Sequence, residues 1–312
     1  IFATHGHHYN LRNLPPHKEG DVLLHGHTHV PACICENGMW YINPGSVSIP
    51  KENSPHSYMI YEDGSFIWKD TGKGECQMQY SVLMSVYEKE QPLFFRESLQ
   101  SILRQSMPPA QIVVVCDGRL TDELYEVLAD VQVDNPALFT IVQLENRSGL
   151  GMALNQGMQH CRYEIIARMD SDDISLPDRM KWQIEAMEAH EADLISGSVA
   201  EFETNPSIPG KIRKLPVTQE EILRFARRRN PFNHPCVMYK KSAVLAAGGY
   251  QPFEGFEDYY LWLRMLRNGA KGYNMDRVIL YMRTKGMYQR RGGLQYAKNV
   301  IPVSYTHLTL PT

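Results

Sequence analysis

From Tyr80 onward the hydrophobic period of this 312-residue chain switches between 2 and about 3.6. That regular switching limits what the chain can fold into more than any other feature. Tyr80-Val86 reads as a strand, Leu93-Gln105 as a helix with apolar residues at 95, 99, 102 and 103, and Ile112-Cys116 as a second strand. The pattern then repeats, with helices over Asp122-Val133 and Met152-Cys161 and strands over Phe139-Leu144 and Glu164-Met169. Strands spaced by helices in this way predict an α/β fold with a mostly parallel sheet covered by helices. Ligands bind such sheets at the carboxyl ends of the strands, so the loops at that edge should carry the chemistry.

The last of these strands runs into Arg168-Met169-Asp170-Ser171-Asp172-Asp173, and Ser175-Leu176-Pro177-Asp178 behind it reads as a helix start. Two carboxylates about 4 Å apart repel by roughly 4 kcal/mol at an effective dielectric near 20, so three together call for a cation. A hard divalent ion such as Mg²⁺, held by one or two of these acids, would bridge the cluster to a substrate diphosphate. The plainer alternative is a solvated loop whose acids sit at a helix N-terminus.

Three other loops reach the same edge. Ser85-Val86-Tyr87 ends the first strand, Asp117-Gly118 the second, and Asn146-Arg147-Ser148-Gly149-Leu150-Gly151 follows the third. Asp117 can accept from a nucleobase N–H, and the glycines beside a helix N-terminus let backbone amides approach phosphate or sugar oxygens. Gly149 and Gly151 do not make a dinucleotide fingerprint, since the third glycine and the downstream acid are missing. With the acid cluster, the set reads as a nucleotide-sugar site. Farther on, Phe256-Glu257-Asp258 precedes an amphipathic helix, Tyr259-Asn268, which puts a carboxylate at a helix N-terminus facing the cleft. Asp258 suits a general base that takes the proton of an acceptor hydroxyl. Glu257 is the rival base, and simple helix capping by both is the structural alternative. His234 before Pro235 either lines the acceptor side or is a hydrogen-bonded structural histidine. Ala246-Ala247-Gly248-Gly249-Tyr250 reads as a helix stop, Arg277-Arg283 as a last strand, and Arg290-Arg291-Gly292-Gly293 as a phosphate contact or a solvated turn.

Residues 78–300 resemble the family 2 glycosyltransferases of the GT-A fold, in the branch that builds bacterial exopolysaccharide and O-antigen. The resemblance rests on Tyr-Ser-Val-Leu-Met-Ser-Val-Tyr, Val-Val-Val-Cys-Asp-Gly, Asn-Arg-Ser-Gly-Leu-Gly-Met-Ala-Leu-Asn, Ala-Arg-Met-Asp-Ser-Asp-Asp-Ile-Ser-Leu-Pro, Asn-His-Pro-Cys-Val-Met and Phe-Glu-Asp-Tyr-Tyr-Leu-Trp. It implies that Asp117 reads the nucleobase, that Asp170 and Asp172 form the metal-binding DxD pair, and that Asp258 is the base of an inverting transfer. Ser85, Tyr87, Arg147, Gly149, Gly151 and Asp170 would then contact the donor. The expected partners are a nucleotide-sugar donor and a glycan or lipid-linked saccharide acceptor. A glycan-binding or nucleotide-sugar-binding protein without turnover is the non-enzymatic alternative.

Residues 1–70 have a different character. Eight of the twelve histidines lie between His5 and His56, in Thr4-His5-Gly6-His7 and Leu23-Leu24-His25-Gly26-His27-Thr28-His29, followed by Asn43-Pro44-Gly45-Ser46. Imidazoles alternating at a strand end beside glycines suit a transition metal. These motifs resemble the C-terminal half of the calcineurin-like metallophosphoesterases, in particular small bacterial phosphodiesterases. The resemblance implies that His5 and His27 ligate one ion of a dinuclear pair, such as Mn²⁺, and His29 the other. That family's N-terminal half, with its Asp-x-His, its bridging aspartate and its Gly-Asn, is missing. Two-metal hydrolysis needs both ions fixed some 3.5–4 Å apart, so this module is expected to be catalytically incomplete. A metal-dependent phosphodiesterase with the transferase part as passenger is the alternative from another enzyme class.

The expected organisation is a partial, β-rich phosphoesterase module over 1–70, a linker over 71–77, the transferase domain over 78–300, and a non-native tail over 301–312 that resembles translated sequencing-adapter read-through. Ile1 in place of Met suggests a start inside a gene, and Met78 resembles an initiator, as expected of a fusion or of assembled fragments. The net charge of -3 gives no reason to expect nucleic acid, and Arg227-Arg228-Arg229 reads as a solvated helix face. No apolar run approaches the ~18 residues of a membrane span. Six cysteines without a CxxC pair are simplest as cytoplasmic thiols, with peripheral association at the inner face of the plasma membrane left open.

Overall fold

The structure, a computed structural model, describes residues 1–4, 9, 13–36, 38–46, 57–62, 65–70, 79–253 and 255–284. His5, Met78, Arg290 to Gly293 and residues 301–312 lie outside the described residues, as does the linker over 71–77. The chain divides into two compact units, Ile1–Gln77 and Met78–Thr312.

In the first unit, strands β1 (Phe2–Thr4), β2 (Val22–His25), β3 (Ala32–Glu36) and β4 (Met39–Asn43) form a sheet in the order β1-β2-β4-β3. β1 and β2 are parallel, β2 and β4 are parallel, and β3 runs antiparallel to β4. Leu23, Met39 and Tyr41 form its small core. A separate hairpin pairs β5 (Ser57–Glu62) with β6 (Ser65–Asp70), Glu62 opposite Ser65.

The second unit carries β7 (Tyr80–Val86), α1 (Pro92–Leu103), β8 (Gln111–Cys116), α2 (Asp122–Asp134), β9 (Phe139–Gln143), α3 (Leu150–His160), β10 (Ile165–Asp170) and β11 (Ile174–Ser175). It continues with α4 (Arg179–Ala189), β12 (Leu194–Phe202), β13 (Ile212–Arg213), α5 (Gln219–Ala226), a short 3₁₀ turn (His234–Cys236), β14 (Met238–Lys240), α6 (Lys241–Ala246), α7 (Glu257–Arg267) and β15 (Gly272–Arg283). The sheet order is β11-β15-β12-β14-β10-β7-β8-β9, with β13 beside β12. The run β10-β7-β8-β9 is parallel throughout, as the alternating pattern predicts. β14 reverses direction between β10 and β12 and makes the sheet mixed.

Successive side chains of a strand face opposite ways, and both faces of this sheet are apolar. Val82, Met84, Ile112, Val114, Ala167 and Met169 pack with α1, α2 and α4. Leu83, Val113, Val115 and Ile166 pack with α3, α5 and α7. Burial on both sides explains why these strands read as continuous apolar runs. Gly157 sets the depth of α3, since a Cβ there would lie 2.4 Å from Val115 Cγ2 and 2.5 Å from Leu83 Cδ1.

One local expectation needs correction. Ser175 does not start the helix: it lies in β11, paired with Leu280, and its N–H donates to Ser101 Oγ at 3.0 Å. α4 starts at Arg179 with Asp178 at the N-cap and no side-chain capping bond. The pairing with β15, invisible in a local pattern, claims Ser175 first.

Candidate active site

Strand register decides which residues share an edge. Ser85 lies beside Asp170, and Val86 beside Cys116, which in turn lies beside Gln143. The loops holding Tyr87, Asp117, Arg147 and the acids therefore leave the sheet together at its C-terminal end. Asp117 Oδ1 accepts from the Ser148 N–H at 2.6 Å and its hydroxyl at 2.9 Å, and Oδ2 accepts from the Gly149 N–H at 3.0 Å. A carboxylate offers about four lone-pair sites, so one acceptor position is left over. The sequence predicts a base reader at Asp117; the contacts observed are those that fix the glycine loop. Gly149 takes φ 86° and ψ 158° at the N-cap of α3, a region essentially reserved for glycine that costs other residues about 1–3 kcal/mol. The Arg147 guanidinium lies 4.7 Å from the Tyr87 ring centroid.

The acid loop is held from three distant segments. Ser98 Oγ of α1 donates to the Asp170 carbonyl at 2.7 Å, and Ser171 Oγ donates to Glu90 Oε2 at 2.6 Å. Arg283 at the end of β15 donates its N–H to Asp173 Oδ1 at 2.8 Å and its Nε to the Asp172 carbonyl at 3.0 Å. Its guanidinium pairs with Glu97 at 2.7 Å and lies 3.7 Å from the Phe94 ring centroid. Below the loop, Arg168 is 1% exposed and pairs with Asp170. Burial alone would lower the pKa of Arg168, and the charges of Asp170 and Asp173 outweigh it, leaving the value raised.

Carboxylate oxygens of Asp170, Asp172 and Asp173 all lie within 4.8 Å of one another, and this is the only such group of metal-capable side chains among the described residues. Burial, then repulsion from Asp170 and Glu90, pushes Asp172 up to about 7. Burial, then Asp172 and Asp170, holds Asp173 well above the carboxylate range. Acids that repel each other this strongly fit a divalent ion, and an all-oxygen donor set suits Mg²⁺ or Mn²⁺. Asp173 joins the pair read from the sequence, although one of its oxygens already serves Arg283.

On the other side, Glu257 and Asp258 occupy the first turn of α7. They belong to the helix itself rather than preceding it. Gly151 connects them to the glycine loop, since a Cβ on it would stand 3.3 Å from Glu257 Cβ and 3.4 Å from Tyr250 Cβ. Asn230 Nδ2 donates to Asp258 Oδ2 at 2.7 Å. Asn155 of α3 clasps the Tyr250 backbone, accepting from its N–H at 2.8 Å and donating to its carbonyl at 2.5 Å. His234 Nε2 lies 3.3 Å from Tyr250 Oη. Burial raises the Tyr250 phenol; Arg168 opposes this, and Asp258 and Asp170 both add to it. The wholly enclosed phenol is thus within electrostatic reach of both acid groups. Arg283, Glu90, Asn155 and Tyr250 carried no site signal in the sequence, because each acts through contacts 72 or more residues away or through a single neighbour.

The family model of glycosyl transferase family 2 matches residues 81–246, more than half of the chain. The chain is 39% identical over 230 residues to an Escherichia coli UDP-Gal:alpha-D-GlcNAc-diphosphoundecaprenol beta-1,3-galactosyltransferase, covering 73% of this chain and 82% of that one. The chain belongs to glycosyl transferase family 2. Its second unit is a glycosyltransferase domain of the GT-A type. S. aureus TarS 1-349 in complex with UDP-GlcNAc shares that fold, with a TM-score of 0.59 at 18% identity, over 75% of this chain and 68% of that one.

The family 2 domain does not account for the beginning of the chain. A calcineurin-like phosphoesterase superfamily domain matches residues 1–63. Phosphodiesterase YfcE of Escherichia coli K12 is 48% identical over 63 residues, which are 20% of this chain and 34% of that protein. In this segment His25 is buried, with Nδ1 2.5 Å from Tyr41 Oη. Asn43 Nδ2 donates to Thr28 Oγ1 at 2.7 Å, and Asn43 Oδ1 accepts from the Gly45 N–H at 3.0 Å. The two predicted ligands His27 and His29 take φ of 71° and 62°, which is uncommon outside glycine and characteristic of functional loops. His5, the third, lies outside the described residues. No helix of the described residues is long and apolar enough to cross a membrane.

Proposed function

We propose that this family 2 glycosyltransferase moves a sugar, with inversion, from a nucleoside-diphosphate donor to a saccharide acceptor in bacterial surface polysaccharide synthesis. The acceptor read most directly is lipid-linked, as the name of the E. coli relative describes for that protein. One observation carries the reading: the three carboxylates of the acid loop converge to within 4.8 Å at the strand ends, and the glycine loop leaving the same edge packs through Gly151 on Glu257, next to Asp258, which suits a site with a diphosphate end and an acceptor end.

In this reading Tyr87 and Arg147 flank the nucleobase side, and Asp117 accepts from the base. Ser85, Gly149 and Gly151 give the donor close access to the strand end and to the α3 N-terminus. Asp170 and Asp172, with Asp173 behind them, would hold Mg²⁺ or Mn²⁺, which when bound stabilises charge on the departing diphosphate. Asp258 accepts the acceptor hydroxyl's proton as that oxygen attacks the anomeric carbon and the bond to the diphosphate breaks. The α7 N-terminus favours its ionised form and the Asn230 amide orients it. Glu257, packed on Gly151, is better placed to set the glycine loop than to take a proton.

The test is nucleoside diphosphate release from a panel of nucleotide sugars with Mn²⁺ and an alkyl α-GlcNAc diphosphate acceptor, the product's anomeric configuration being read by NMR. Release abolished by Asp172→Asn and Asp258→Asn, with an inverted product, supports the reading. Retained configuration, or full activity in either variant, refutes it.

A further inference from the structure

A second charged feature of the transferase unit lies outside the acid site. α5 ends at Ala226, and Arg227, Arg228 and Arg229 follow it, all exposed. They line a groove of about 990 Å³ with Lys214 and Arg224, five cations against the two acids Glu221 and Asp276. Glu221 is engaged by its own helix start, its Oε2 accepting from the N–H groups of Val217 and Thr218 at 3.1 Å each, and Asp276 neutralises Lys214 within the groove at 3.1 Å, so the excess charge lies on the arginines. Arg224 already complements the C-terminal dipole of α5 from its last turn. Three further arginines in sequence, with no ion pair among the described residues, exceed what the helix end requires.

The position of this run gives it a purpose. The carbonyl of Ala226, just before it, accepts from Tyr259 Oη at 2.7 Å, and Asn230, just after it, holds Asp258. Both ends of the arginine run are thus tied to the first turn of α7, where the proposed base stands. The diphosphate of the donor has its own place at the acid cluster. An anion beside the arginines is therefore a second one, entering with the acceptor. Phe225, Val217 and Leu215 give the same groove apolar wall, which suits a lipid-borne phosphate more than a free one.

We infer that the Arg227–Arg229 groove binds the diphosphate of a lipid-linked saccharide acceptor and seats its sugar against Asp258. The inference rests on the transfer reading above and adds to it the part of the acceptor that is recognised. Guanidinium groups bind phosphate oxygens through paired, charge-assisted hydrogen bonds, so the groove should discriminate by charge as well as shape.

Two measurements on the full chain test it, using an Arg227→Gln/Arg228→Gln/Arg229→Gln variant whose changes are all at exposed positions. The first is the ratio of kcat/KM for a short-chain alkyl α-GlcNAc diphosphate to that for the neutral alkyl α-GlcNAc glycoside. The ratio should fall at least 10-fold in the triple variant, and a ratio that does not move overturns the inference. The second is a titration of inorganic pyrophosphate into protein kept in EDTA, where the bare acid cluster repels a diphosphate. Saturable binding weakened at least 10-fold in the variant supports the groove; absent or unaltered binding overturns it. If the native chain releases no nucleoside diphosphate with either acceptor, the transfer reading fails while the pyrophosphate titration still decides the groove. Loss of sedimentation with phosphatidylglycerol vesicles, with neither measurement moved, would mean that the arginines serve lipid headgroups, and would also overturn it.

Discussion

Two loops in this chain carry metal-type motifs at strand ends, and they are built differently. The acid loop of the transferase unit is fixed by Ser98, Glu90 and Arg283, which hold its carboxylates together. In the histidine loop of the first unit Asn43 donates to Thr28 Oγ1 and to the Gly26 carbonyl, and His27 is exposed. The contrast shows that a motif gives the ligand atoms, while a site also needs the distant residues that hold those atoms against their repulsion. One unit has that support within the chain; the other matches only a third of its phosphodiesterase relative.

The largest effects should come from breaking the chemistry of the transferase unit. Removing a positioned general base typically costs about 10²- to 10⁴-fold, so Asp258→Asn should reduce nucleoside diphosphate release by that order. Asp172→Asn should cost about as much as losing an oxyanion-type stabiliser, roughly 10²- to 10³-fold in kcat. His27→Ala, measured in the same assay, should leave transfer intact. Equal losses in all three variants would erase the distinction between the loops.

Next comes the support itself. Removing one partner of a buried ion pair costs roughly 3–5 kcal/mol, and exposed pairs far less. Glu97 is 41% exposed while Arg283 is nearly buried, so Arg283→Ala should cost no more than about 3 kcal/mol, the lower end of that range, read by urea unfolding. The variant should also bind Mn²⁺ more weakly. Arg283→Lys should not restore it, because a lysine cannot both reach the Asp172 carbonyl and stack on Phe94.

The acid loop should also impose a pH dependence on stability. Asp172 titrates near 7 in the folded chain and near 3.8 when unfolded. Between those values the folded state binds more protons, so without metal this residue's contribution to stability falls as pH rises from about 4 to 7 and is level above. An ion reverses the penalty. The Mn²⁺-induced rise in Tm should therefore be larger at pH 7.5 than at pH 5.5, and Asp172→Asn should flatten the difference.

Which parts of this were legible in the sequence follows from distance along the chain. The parallel run and its helices were, because a period of 2 or 3.6 is local and both faces of these strands are buried. The alternation places Asp117, Asp170 and the glycine loop at one edge without any knowledge of tertiary contacts. The reversed strand β14 was not legible, since Met238–Lys240 is too short to show a period. Nor was the loop-fixing role of Asp117, which depends on a loop 31 residues away. Ser175 was misread because a serine ahead of a proline looks like a cap when the partner strand, more than a hundred residues on, is out of view. Arg283 is the extreme case: within its own strand nothing marks it as the support of the acid loop.

The smallest expected effect on transfer comes from the first unit. Each unit has an asparagine that clasps a neighbouring backbone or loop, Asn43 in the first and Asn155 in the second. Removing a hydrogen bond costs about 0.5–1.5 kcal/mol net, and roughly 1–3 kcal/mol when the abandoned partner is buried. Asn43 is fully buried and reaches the buried His25 as well as Thr28, and Tyr250, whose backbone Asn155 holds, is 2% exposed, so both changes fall in the higher range. Asn155→Ala should also slow transfer as the Tyr250 loop loosens. Asn43→Ala should show its cost only in the first unit's unfolding transition, with transfer unaltered. If Asn43→Ala slowed transfer as much as Asn155→Ala, the histidine loop would serve the transfer chemistry, and the contrast drawn between the loops would have to be withdrawn.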